Sequence, residues 1–105
     1  MGNEELIKEV TRRMAVAAPG AKVILFGSRG RGEHRSDSDL DLLVIEPGPV
    51  DRPRAESARL RKELRGFGIG LDLLVVSTRH AEDWGHVKGS LLNEVLSEGR
   101  VLVDA

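Results

Sequence analysis

Two apolar runs in this chain carry aspartates where aliphatic residues would be expected. The first reads Asp39-Leu40-Asp41-Leu42-Leu43-Val44-Ile45 and the second Ile69-Gly70-Leu71-Asp72-Leu73-Leu74-Val75-Val76. Short runs rich in branched aliphatic residues read as buried strands, and a strand returns its side chains to one face every second residue. Asp39 and Asp41 therefore point the same way, with Cα atoms about 6.5–7 Å apart. Parallel carboxylates beside a core strand are costly, because like charges repel and burial disfavours ionisation. A divalent cation removes that cost. Magnesium prefers hard oxygen ligands and is usually held by one or two carboxylates together with substrate phosphates. An ion shared with Asp39 and Asp41 is the simplest partner for Asp72, although a strand edge or an arginine would also serve.

Upstream, the strand-like segment Ala21–Phe26 runs directly into Gly27-Ser28, and ten residues separate that pair from Asp39. Glycine has no Cβ and lets the backbone approach a ligand closely. A serine there offers its hydroxyl and a backbone N–H where unsatisfied donors favour anions, or simply caps a helix. Arg29, Arg31 and Arg35, opposed by Glu33, give the turn a surplus of positive charge, which suits phosphate and equally suits solvent. Ser36, Asp37 and Ser38 are turn formers, since their side chains hydrogen-bond local backbone. Each feature alone is commonplace; their conjunction is not.

The extended pattern, Gly-Ser, ten residues, Asp-x-Asp and a later strand aspartate, resembles the minimal nucleotidyltransferases of the polymerase-beta-like nucleotidyltransferase superfamily. The resemblance runs from Phe26 to Val44 and again from Leu71 to Val76, with Gly30 standing where the family often has alanine. It implies an α/β (α+β) fold, a single mixed sheet of about four strands packed with helices. It also implies transfer of a nucleoside monophosphate, AMP from ATP or another triphosphate, to a hydroxyl with release of pyrophosphate. Asp39, Asp41 and Asp72 would be the catalytic residues and the ligands of two magnesium ions, with Gly27, Ser28, Arg29 and Arg31 binding the nucleotide. In such two-metal sites the ions sit about 3.5–4 Å apart and stabilise entering and leaving oxygens. Larger relatives carry a further domain that positions the acceptor. With none here, the acceptor is expected on a partner, a helical HEPN-type protein of a toxin–antitoxin pair, or on another copy of the chain. The chain contains no tyrosine, so it cannot be its own tyrosine target. A non-catalytic antitoxin module that binds nucleotide or partner is the alternative, and a small-molecule nucleotidyltransferase is a third reading.

Length and composition bound the rest. A chain of 105 residues is expected to form one domain, 1–105, burying roughly 60–70% of its unfolded surface. Its net charge of −1 gives no reason to expect strong nucleic-acid binding without a local patch. The absence of cysteine excludes disulfides and thiolate metal sites. No secretory leader or membrane-length apolar run is visible, which predicts a cytoplasmic protein without a membrane contact. His34, His80 and His86 do not make a metal set.

The remaining elements follow from local signals. Asn3 is expected to cap a first helix carrying Leu6, Val10, Met14 and Ala17, ended by Pro19-Gly20. Pro47-Gly48-Pro49 breaks the Asp39–Asp41 strand, and Asp51 with Pro53 starts a helix to about Arg65. That helix has a basic, solvated face and an apolar stripe thin enough to predict loose packing. Gly66, Gly68 and Gly70 read as a connection to the Asp72 strand. Ser77-Thr78 is expected to cap a final helical region whose later half, with Val87, Leu91, Leu92, Val95 and Leu96, is amphipathic. Gly99 ends it before a short strand, Arg100 to Val103. Trp84 is assigned to the core in preference to an interface.

Overall fold

The structure, a computed structural model, describes residues 2–32, 35 and 38–104. Of the sequence expectations, those for Glu33, His34, Ser36 and Asp37 lie outside the described residues. Helix α1 (Asn3–Ala17) leads to strand β1 (Lys22–Phe26), short helix α2 (Gly27–Arg31) and strand β2 (Leu40–Glu46). Helix α3 (Pro53–Glu63) crosses to strand β3 (Leu71–Ser77). Helices α4 (Thr78–Trp84) and α5 (Leu91–Glu98) and strand β4 (Arg100–Val103) follow. The single mixed sheet has the order β3-β2-β1-β4, with β2 and β3 parallel and the other pairs antiparallel.

Period-two alternation divides the core between the two faces of this sheet. Val23 and Leu25, Leu40, Leu42 and Val44, and Leu73 and Val75 pack with Leu6, Val10 and Met14 of α1 and Leu60 of α3. The intervening residues Ile24, Phe26, Leu43, Ile45, Leu74 and Val76 pack with Leu92 and Val95 of α5. Asp41 and Asp72 stand in register with this second set, so both carboxylates rise from the face that α4 and α5 cover.

Helix α3 contributes only Leu60 to the core from within its length. The thin stripe is supplemented from α1: Arg13 donates to the carbonyls of Glu63 and Arg65 and lies over the Phe67 ring, 4.6 Å from its centre.

Four local expectations are corrected. Asn3 is the first helical residue and Gly2 the cap, without a side-chain bond; the Asn3 amide is committed elsewhere. Ser28 does not cap α2, whose N-cap is Phe26. The final helical region is two helices, because Ser90 caps a new start by accepting from the Asn93 N–H, as Ser77 does from His80. Trp84 is 58% exposed, since α4 ends there and the chain turns at Gly85. A Cβ at Gly85 would run into Ala81 O and Leu96 Cδ1, so glycine permits the turn that carries the indole outward.

Candidate active site

Backbone pairing brings the turn and two of the carboxylates together. Phe26 is the register partner of Asp41, and Asp41 is that of Asp72. Three adjacent strands thus present, side by side, the residue before Gly27, Asp41 and Asp72. Lateral neighbours in a sheet lie about 4.8 Å apart and share a face. Leu40 N–H donates to Gly70 O at 2.9 Å, extending the ladder one step and setting Asp39 beside Gly70.

Two glycines face the carboxylates directly. Gly27 has φ +70°, and a Cβ there would overlap Asp41 Oδ2 and stand 3.1 Å from its Cγ. A Cβ at Gly70 would overlap Asp39 Oδ1, 2.9 Å from Cγ. The phosphate-type turn and the loop before β3 therefore close directly onto the two carboxylates of the Asp-x-Asp pair. Gly70, read from sequence as a plain connector, is part of the site. Its signal was the β2–β3 register, which cannot be read until the strands are paired. Gly30 lets α2 sit tightly against β1, since a Cβ there would lie 2.8 Å from Leu25 O.

Asp39 and Asp72 are exposed and Asp41 is half-buried. Burial, then the negative charges of Asp72 and Asp39, hold the Asp41 carboxyl above its ordinary value, while Arg31 pulls the other way. Asp72 and Asp39 thus act on Asp41, with Arg31 as a local counter-charge. They are not gathered into a cage: among the described residues, no three His, Cys, Asp or Glu side chains are arranged to hold a metal ion. What the strands fix is the Asp41 and Asp72 backbone and its common face, and a carboxylate turns by bond rotation alone. The donor chemistry, hard oxygens from adjacent strands at the mouth of a glycine turn, suits a divalent cation.

The turn's arginines are divided. Arg29 is 4% exposed, its Nε donating to Ser38 O at 3.0 Å and its NH1 to Asn3 Oδ1 at 2.7 Å. It braces α2 against α1 and against the chain entering β2. Ser38 Oγ also accepts from the Arg35 N–H at 2.7 Å. Arg31 is exposed and lines a cavity of about 210 Å3 with Phe26, Gly27, Leu91, Glu94 and Glu98. Gly27 and Ser28 are the first two helical residues, where N–H groups lack partners within the helix.

Comparison with known proteins gives a consistent result. A family model described as "Nucleotidyltransferase domain" matches residues 4–103. The chain is 33% identical over 104 residues to a "putative protein adenylyltransferase" of Methanocaldococcus jannaschii, covering 97% of this chain and 99% of that one. A solved structure described as a "putative minimal nucleotidyltransferase" is 34% identical, covers 94% of both chains and superposes with a TM-score of 0.63. A nucleotidyltransferase so described from Sulfolobus solfataricus, 24% identical with a TM-score of 0.60, shares the fold over 96% of this chain and 90% of its own. So does a chain of a toxin–antitoxin complex solved with AMP-PNP, 19% identical with a TM-score of 0.57, over 94% and 73%.

Proposed function

The chain belongs to the nucleotidyltransferase domain family, and from that premise we propose that it transfers AMP from ATP to a hydroxyl of a partner protein, releasing pyrophosphate. The observation that carries the reading is the lateral register of Phe26, Asp41 and Asp72, which sets the glycine turn, a half-buried carboxylate and an exposed one in a row.

In this scheme the triphosphate lies along Gly27 and Ser28. Gly27 admits it by lacking a Cβ, the Ser28 hydroxyl and N–H donate to its oxygens, and Arg31 offsets negative charge on the leaving pyrophosphate. Arg29 acts as a positioning residue, holding α2 through Asn3 and Ser38. Asp39, Asp41 and Asp72 would hold magnesium, which when bound supplies charge neutralisation at the phosphates. The acceptor oxygen forms a bond to the α-phosphorus, the bond from that phosphorus to the β-bridging oxygen breaks, and pyrophosphate leaves. Asp72 takes the acceptor proton. It suits that task because it is exposed on β3, at the edge of the sheet, where a large acceptor can approach.

A protein acceptor is supported by the designation of the Methanocaldococcus jannaschii relative. A toxin partner is supported by the shared fold with a chain of a toxin–antitoxin complex, and the resemblance of the motif favours a helical HEPN-type partner. Among the described residues no helix is long and apolar enough to cross a membrane. The test is incubation with ATP labelled at the α-phosphate, magnesium and a candidate helical HEPN-type protein. Label is expected on the partner and absent with Asp39→Asn. Neutralisation of the partner without label would establish the non-catalytic binding module instead.

A further inference from the structure

The cavity behind the glycine turn has a composition that phosphate binding leaves unused. Its volume is about 210 Å3, below the roughly 300–1,000 Å3 of sites for drug-sized ligands and suited to a single ring system. One wall is Phe26, at the end of β1; the other is α5, which presents Leu91, Glu94 and Glu98 along one helical face. The mouth is shared with the phosphate turn through Gly27 and Arg31. Arg31 is also the cation whose charge is felt at Asp41, so the cavity and the carboxylate row adjoin through one side chain. A ligand with phosphates on the turn can extend into the cavity without crossing Asp72, which lies two strands away from β1.

We propose that this cavity is the nucleobase subsite, in which Phe26 and Leu91 sandwich the ring while Glu94 and Glu98 select bases with an exocyclic amino group. The inference rests on the nucleotide reading above and adds a selectivity to it. Ionised carboxylates only accept hydrogen bonds. The amino groups of adenine, cytosine and guanine donate to them, whereas uracil presents two carbonyl oxygens beside its one N–H and meets them acceptor to acceptor. The exposed Leu91 lies at the rim, and a larger side chain there closes the cavity without disturbing the core.

Isothermal titration calorimetry of the full chain with ATP, UTP and inorganic tripolyphosphate, in magnesium, tests this. Wild type is expected to bind ATP about tenfold more tightly than UTP, the worth of one charge-assisted hydrogen bond. Combined Glu94→Gln and Glu98→Gln narrows that ratio towards one. Leu91→Trp weakens ATP about tenfold or more and leaves tripolyphosphate unchanged, with thermal unfolding confirming that the variant is folded. Equal wild-type affinities for ATP and UTP, or variants that weaken tripolyphosphate as much as ATP, overturn the subsite while the phosphate turn stands. Failure of wild type to bind either ATP or tripolyphosphate overturns the nucleotide reading and the subsite with it.

Discussion

Replacing Gly27 by alanine should separate the stability of this site from its chemistry. Gly27 and Gly32 both have positive φ, +70° and +77°. Placing alanine in that region costs about 1 kcal/mol at either position. In a domain of this size such a loss lowers the melting temperature by about 4–8 °C. The two positions differ in what the new methyl meets. At Gly32 nothing among the described residues lies within 4 Å, whereas at Gly27 the methyl overlaps Asp41 Oδ2 and stands 3.1 Å from Cγ. The displaced atom is the free end of a side chain, so the overlap is relieved by swinging the carboxylate about 1 Å at little further cost in stability. A misplacement of that size at a reacting centre costs about 100-fold in rate. Gly27→Ala and Gly32→Ala should therefore melt within a few degrees of each other. Pyrophosphate release from ATP in the presence of the partner should fall about 100-fold in the first and stay near wild type in the second. Equal activity in the two variants would refute the proposed role of Asp41 beside the turn.

Three further perturbations test other parts of the structure. Arg29→Ala strips Asn3 Oδ1 and Ser38 O of their donor and should cost about 1–3 kcal/mol in denaturant unfolding; Arg29→Lys should restore little, since an ammonium cannot reproduce the guanidinium fork, and full recovery would deny the brace. Glu46 is raised from an ordinary value of 4.5 to about 7 by burial, then by its hydrogen bond and repulsion with Glu56. The folded state therefore holds this proton more tightly than the unfolded one, so its stabilising contribution is full below about pH 4.5 and is lost as pH rises through about 7. Glu46→Gln should flatten melting temperature against pH across that window, and an unchanged slope would contradict the assignment. Trp84→Ala should cost less than about 1 kcal/mol, against the roughly 3–5 kcal/mol of a buried tryptophan, and a large loss in thermal unfolding would return Trp84 to the core.

Legibility in the sequence tracked the range of the interaction. The carboxylate strands, the glycine turn and the Pro53 helix start are local signals, written within a few residues by periodicity, backbone freedom and fixed φ. Strand identity was therefore available before strand pairing was. The importance of Gly70 was not, because it arises only when Leu40 N–H meets Gly70 O and sets the Asp39 carboxylate against a residue 31 positions away in the chain. Arg29 shows the same limit. Its sequence neighbours are basic and surface-like, and only the packing of α1 against the turn reveals that its guanidinium is spent on Asn3 and Ser38. Size and apolarity favour burial of a tryptophan on average, whereas the turn at Gly85 decides the direction of Trp84. The break between α4 and α5 was hidden by an apolar period that continues across it from Val87 to Leu91.

The proposed function requires Asp39, Asp41 and Asp72 to share a cation at the mouth of the Gly27 turn. Paramagnetic broadening of backbone amide signals by sub-stoichiometric Mn2+, with and without ATP, measures this directly. Broadening should centre on Gly27, Ser28, Leu40, Asp41, Leu71 and Asp72 and be lost in Asp41→Asn. The acidic pair Glu46 and Glu56 is an internal rival, since Glu46 lies five residues further along β2, about 16 Å from Asp41. Broadening centred on Glu46 and Glu56, or unaffected by Asp41→Asn, would show that the three aspartates do not share the cation.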